Sequence, residues 1–149
     1  MHRVLNRCLW LLLLLAALQG CTSPVDHVAD DGLVERIGLE EALDRLRGVL
    51  ERAENVNDLA AITPTHYAYR GNSESGFLWR RLLGEEVYYV SVVGVTVFSD
   101  ARVEVLGNTF GDDYSLLDVL SCASGEDAHT LADLLLGLRR LAVERADDG

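Results

Sequence analysis

No lysine occurs among the 149 residues, so every cationic side chain apart from histidine is an arginine. Thirteen arginines face 24 acidic residues, and the formal charge is −11. The missing lysine carries no functional reading, but the imbalance does, because a strongly negative chain repels nucleic acid and anionic lipid headgroups. Such a charge favours a basic protein partner, a cationic peptide or a divalent cation, with solubility as its simplest use. Proline is nearly absent as well, and Pro24 and Pro64 leave the stretch between them uninterrupted. The signatures of common sites are also missing: there is no GxSxG, HExxH, CxxC, P-loop or glycine-rich dinucleotide turn. Nothing therefore points to those reaction classes, and no cofactor is implied.

One long hydrophobic run is present, at the N-terminus. Arg3 and Arg7 precede an unbroken apolar stretch from Cys8 to Leu18, and Leu18-Gln19-Gly20-Cys21 follows. A run of this length falls short of the roughly 20 residues that cross a hydrocarbon core as a helix. It suits a cleavable export signal, whose apolar region spans about 7–15 residues. The four residues ending in Cys21 resemble the lipobox of bacterial lipoproteins, with Gln19 standing where that pattern usually carries a smaller residue. The resemblance covers residues 1–21 only. It implies a signal peptide over residues 1–20, cleavage before Cys21, a thioether-linked diacylglyceryl on Cys21, and an acyl chain such as palmitate on its new amine. Each buried methylene contributes about 0.8 kcal/mol, so several chains anchor the protein where one would hold it marginally. Thr22 stands where aspartate would retain such a product at the inner membrane, so the outer membrane of the bacterial cell envelope is the favoured location. Loss of Arg3 and Arg7 with the signal takes the formal charge from −11 to −13. Cys8 leaves with it, and with Cys21 lipidated, Cys122 stands alone in an oxidising compartment and can form no internal disulfide.

The remainder divides by composition into a lipidated cysteine with a flexible tether (21–32), one globular domain (33–146) and a disordered tail (147–149). From Leu33 to about Glu54, apolar residues including Leu39, Leu43, Leu46 and Leu50 recur at spacings of three and four, which predicts an amphipathic helix. Gly38 and Gly48 each cost it about 1 kcal/mol against alanine, so it depends on tertiary packing. Residues 65–70 read as a strand with Tyr67 and Tyr69 on one side and His66 and Ala68 on the other. Residues 71–76 read as a loop, and 77–83 as a short helix ended by Gly84. The β-branched and aromatic run from Val87 to Phe98 predicts a central strand, with Gly94 marking a bulge or a close approach. Ser99 to Ala101 make a turn, and Arg102 to Leu106 return as its hairpin partner, with Val103 and Val105 inward. Ser115 with Asp118, and Ser124 with Asp127, have the spacing of capping boxes. They predict a short helix over 116–123 and a long C-terminal helix over 126–145, from whose main face Leu136 and Val143 depart. The expected class is α+β: a small antiparallel sheet of about three strands, helices packed on one face, and a long C-terminal helix.

Three groups of residues could carry chemistry. His66, with Tyr67, Tyr69 and Arg70 beside it, offers a general base and a grip for an anion. The same stretch extended to Trp79 could equally be a partner-contact surface, since tyrosine, tryptophan and arginine dominate interface hot spots. Asp112, Asp113 and Asp118, with Asn108 and Glu126, supply hard oxygen ligands suited to Ca²⁺, although capping explains two of them and no metal is assigned. Glu126, Asp127 and His129 crowd the start of the last helix at spacings that do not share one face. The favoured reading is a small acidic envelope lipoprotein, held at the membrane by lipid on Cys21, that binds another protein or helps assemble a complex. A periplasmic inhibitor or immunity protein acting on a basic partner is one form of it. The alternative is a small periplasmic hydrolase or ligand-binding protein with its site around His66.

Overall fold

A computed structural model of the chain describes residues 22–71, 85–108 and 114–147. The architecture is α+β, as expected, with the antiparallel sheet present twice. One three-stranded sheet has the order β1 (Val56–Ile62), β2 (His66–Gly71), β3 (Glu85–Tyr88), and the other β4 (Val92–Val97), β5 (Arg102–Asn108), β6 (Tyr114–Ser121). The segment expected as a helix over 77–83, its Gly84 end and most of the preceding loop lie outside the described residues.

The first helical region is divided. Helix α1 (Leu33–Ile37) stops at Gly38, whose φ of 86° lies where side-chain-bearing residues rarely go, and α2 (Leu39–Arg52) restarts directly after it. Ala42, Leu46, Val49 and Leu50 form the buried stripe of α2, as the spacing predicts. On its outer side the Arg45 guanidinium donates to Glu41 at 2.8 Å.

Strand β1 (Val56–Ile62) runs antiparallel to β2 (His66–Gly71), with Ile62 opposite Tyr67 and Leu59 opposite Tyr69. Strand β3 (Glu85–Tyr88) pairs with the other side of β2. The expectation of one central strand over 87–98 is corrected here. A 3-10 turn at Tyr89–Ser91 carries the chain out of the first sheet and into β4 (Val92–Val97) of the second. Both β3 and β4 end their sheets, and β2 and β5 are central. The run is apolar on both faces because Val87, Tyr89, Val92 and Val97 all enter the core as the chain changes sheets. The register does shift between Val92 and Gly94, as a bulge requires, but a Cβ at Gly94 would meet nothing within 4 Å.

Strand β5 (Arg102–Asn108) returns as a hairpin, with Val103 and Val105 fully buried. Phe98 N donates to Arg102 O at 2.8 Å, which leaves a three-residue loop, Ser99 to Ala101, and Ala101 closes it at φ 64°, the left-handed position that three-residue hairpin loops call for. The helix expected over 116–123 is instead strand β6 (Tyr114–Ser121), paired along β5. A short apolar run cannot be sorted into helix or strand by periodicity. What decides is the open edge of β5 and an inward place for Asp118. Among the described residues that buried carboxylate caps no helix.

Helix α3 (Gly125–Asp147) starts where expected, with the Asp127 amide donating to the Ser124 hydroxyl at 3.1 Å. Leu131, Leu134, Leu135 and Leu138 face β4, the 3-10 turn and β5. Where α1 crosses α3, a Cβ on Gly137 would stand 2.5 Å from Val34 Cγ2, so glycine is what permits the approach. Among the described residues no helix is long and apolar enough to cross a membrane.

Each edge of the second sheet is covered at one end, which removes part of the unpaired backbone that could template association. At β6 the Asn55 side chain acts as a substitute peptide, donating to Val119 O at 2.7 Å and accepting from Ser121 N at 2.9 Å. At β4 the cover comes from the segment expected to be a flexible tether. Val25 N donates to Val97 O at 2.8 Å, Ser99 N donates to Ser23 O at 3.0 Å, and Pro24 bridges Phe98. Residues 22–32 are thus docked on the domain. The sheet edge offers their backbone partners that composition cannot reveal.

Candidate functional site

The strand alternation that builds β2 takes apart the site expected around His66. Tyr67 and Tyr69 share the inward face and are buried. Their hydroxyls donate to Asp118 from across the core, Tyr67 to Oδ2 at 2.8 Å and Tyr69 to Oδ1 at 2.7 Å. The Val119 amide also donates to Oδ1, at 2.8 Å. Three donors converging on two oxygens stabilise an ionised carboxylate. Burial, followed by the Asp118 charge and its hydrogen bond, raises the Tyr67 phenol well above its ordinary value. Tyr89 packs against Tyr67 with ring centroids 6.2 Å apart, and its buried hydroxyl has no partner among the described residues. Fully enclosed, these groups brace the two sheets against each other.

His66 lies on the opposite face, half-buried. Its Nδ1 is 3.1 Å from the hydroxyls of Thr63 and Thr65, and its Nε2 is 3.5 Å from Glu86 Oε1. The Tyr88 ring stands beside it at 5.1 Å between centroids, and the Tyr88 hydroxyl donates to Glu86. A general base needs a free nitrogen facing a substrate's proton; Nδ1 of His66 is taken up by the two threonine hydroxyls, and Nε2 faces the Glu86 carboxylate beyond hydrogen-bond distance, with no nucleophile beside it among the described residues. Arg70 is exposed at the end of β2. Trp79 and Cys21 lie outside the described residues.

The two acidic groups are not assembled either. Asp118 is in the core, Asn108 is at the far end of β5, and Glu126 is exposed on α3; Asp112 and Asp113 lie outside the described residues. At the start of α3, Asp127 receives two bonds from the Arg52 guanidinium, at 2.6 and 3.2 Å. That contact, ahead of the Ser124 bond, holds the Asp127 carboxyl below the usual carboxylate range. Among the described residues no group of three or more histidine, cysteine or acidic side chains could hold a metal ion.

Two features that sequence reasoning missed involve the docked N-terminal segment. His27 Nε2 meets Asp133 Oδ1 on α3 at 2.7 Å, the Asp30 amide donates to the same oxygen at 2.9 Å, and the His129 ring packs on His27 at 4.4 Å. No local signal announces a pairing across 106 positions. The same segment also walls a groove of about 320 Å³ along α3, lined by Ala29, Asp31, Leu136, Arg139, Val143 and Glu144. Leu136 and Val143, which depart from the helix's main apolar face, form part of its wall. Arg140 pairs with Glu35 and lies 3.9 Å from Asp31, and the buried Nε atoms of both Arg139 and Arg140 have no hydrogen-bond partner among the described residues. Chemically the groove offers apolar contact and a guanidinium, and no nucleophile with a base beside it.

Compared with known proteins, the chain matches no family model, no curated protein and no solved structure.

Proposed function

We propose that the chain is an envelope-anchored bacterial lipoprotein whose acidic domain binds another protein and does not transform a substrate. The observation that carries this reading is the sequence ending in Leu18-Gln19-Gly20-Cys21, behind a short apolar run and two arginines. The fold supports the non-catalytic half. His66 is hydrogen-bonded at Nδ1 to Thr63 and Thr65, and Tyr67, Tyr69 and Asp118 are buried in the core. Among the described residues the hydrolase alternative therefore has no assembled set of nucleophile, base and orienting group behind it. Thr22 after the cysteine favours the outer membrane, and the net charge favours a basic partner, as an inhibitor or immunity protein would have. The groove containing Leu136, Arg139 and Val143 is one contact surface the described residues offer.

The test joins intact mass, fractionation and capture. A wild-type chain that begins at Cys21, carries lipid and sediments with membranes supports anchoring, and Cys21→Ala must release it. Capture of a basic protein from detergent-solubilised envelope, lost in Val143→Glu at unchanged melting temperature, supports partner binding through the groove. A chain that keeps its first twenty residues, or carries no lipid, overturns the anchored reading. Capture unaffected by Val143→Glu removes the groove from it.

A further inference from the structure

If Cys21 carries lipid, the docked segment fixes which part of the domain meets the membrane. This step rests on the anchoring reading and adds an orientation to it. Ser23 is held to Ser99 twice: its carbonyl accepts from Ser99 N at 3.0 Å, and its amide donates to Ser99 Oγ at 3.3 Å. Pro24 and Val25 continue the contact along Phe98 and Val97. Consecutive Cα atoms are 3.8 Å apart, so the Cα of Cys21 cannot lie more than about 8 Å from that of Ser23. A bilayer's headgroup layer is itself roughly 5–7 Å deep on each side. A diacylglyceryl on Cys21 therefore leaves no slack for the domain to stand away from the surface.

We propose that the β4–β5 turn, Phe98–Arg102, and the segment Thr22–Val25 beside it form the membrane-seated end of the domain, resting on zwitterionic lipid headgroups. The side chains at this end suit that occupant. Arg102 lies over the Phe98 ring, 4.2 Å from its centroid, so an aromatic body and a cation are offered together. Long cationic side chains can lay their stems on apolar surface and reach phosphate with their heads. Asp26 and Asp100 are both exposed here, so the patch has no net positive charge to attract an anionic leaflet. The lipid tether, not charge, brings it down.

The experiment compares the two ends of β5. Arg102 and Asn108 are six residues apart on one strand, about 20 Å at the rise of an extended chain. Nitroxides are placed at Asp100→Cys and, separately, at Asn108→Cys in the full-length chain as processed by the cell, with lipid on Cys21 checked by mass. Cys122 can stay, because burial pushes its thiol up to about 12 and leaves it unreactive. In phosphatidylethanolamine-rich vesicles doped with a nickel-chelating lipid, the label at position 100 should be relaxed several-fold more strongly than the label at 108. In the Cys21→Ala chain neither label should respond. A lipidated chain whose two labels respond equally, or whose label at 108 responds more, overturns the seating and leaves the anchor standing. A label at 100 that is immobilised yet far from the nickel also overturns it, and assigns that end to a protein or a second copy. A chain without lipid overturns both readings.

Discussion

Four consecutive residues of β2, His66 to Tyr69, present two contrasting faces. Inward, Tyr67 and Tyr69 are fully enclosed and reach one carboxylate across the core. Outward, His66 has looser company: two threonine hydroxyls at 3.1 Å, Glu86 at 3.5 Å and the Tyr88 ring. In the linear sequence these residues read as one cluster, with a base, phenols and a cation side by side. The pleat separates them, because successive side chains leave a strand on opposite sides. The difference lies in solvent. A hydroxyl or carboxylate enclosed without water must be satisfied by the protein, whereas a half-exposed imidazole can always turn to water. The inner face should therefore carry stability, and the outer face should tolerate change.

The sharpest way to break that contrast is at Asp118. Replacing it with alanine removes the buried acceptor of two tyrosine hydroxyls and the Val119 amide, each a lost hydrogen bond costing up to about 1–3 kcal/mol. Asp118→Ala should lose about 3–5 kcal/mol in denaturant unfolding, a large share of the 5–15 kcal/mol typical of a domain. A loss below about 1 kcal/mol would mean that the network is incidental to the fold. Tyr67→Phe and Tyr69→Phe come next. Each removes one bond to a charged acceptor, worth about 1.5–3 kcal/mol. Because both act on one carboxylate, the double variant should depart from additivity.

Tyr89 sharpens the same point with the opposite sign. It is as buried as its two neighbours, but its hydroxyl has no partner among the described residues. Tyr89→Phe should therefore stabilise the domain, by about 1 kcal/mol, where the same change at Tyr67 or Tyr69 destabilises it. Burial raises the phenol of Tyr89, as it does that of Tyr67. Below the unfolded value of about 10 both states keep these protons, and the contribution to stability is complete. Above it the unfolded chain gives them up first, so stability falls as pH rises toward the folded values. An ultraviolet titration should show these phenols ionising together with unfolding. Smooth ionisation of all five tyrosines ahead of the loss of circular dichroism would contradict the enclosure.

How far the sequence reveals this arrangement depends on whether local pattern or distant pairing decides. The buried stripe of α2, the Ser124 cap, the long α3 and the alternation along β2 and β5 are all local, and all are legible. Strand β1 is not, because its irregular register leaves its burial without a clean alternation. Strand β6 is misread because Ser115 and Asp118 have the spacing of a cap, while the partners of Asp118 lie 49 and 51 positions earlier. The change of sheet at Tyr89 occurs without glycine or proline to mark it. Docking of residues 22–32 rests on backbone bonds and on His27 with Asp133, none of which composition can signal. For the site, sequence brings His66 and the tyrosines together by adjacency, and only the pleat shows that they face apart. Leu136 and Val143 are legible as departures from the helix's main face, but the opposite wall of their groove comes from the segment taken for a tether.

The smallest expected effect is the most telling, because it concerns the residue most suggestive of chemistry. His66→Ala removes a half-exposed ring that lies 3.5 Å from Glu86, a contact too long for a hydrogen bond, and touches threonine hydroxyls that water can serve equally well. Exposed pairs of this kind typically contribute between nothing and about 1 kcal/mol, and surface changes stay mostly within about 0.5 kcal/mol. The variant should unfold within about 0.5 kcal/mol of wild type and capture the same partner to the same extent. If instead it kept its stability but lost capture, the outer face of β2 and β3 would replace the α3 groove as the contact surface. A large loss of stability would mean that the Thr63–Thr65 turn depends on the imidazole. Thr63 N already donates to His66 O at 3.0 Å through the backbone, a bond that the alanine variant keeps, so the turn should survive the substitution.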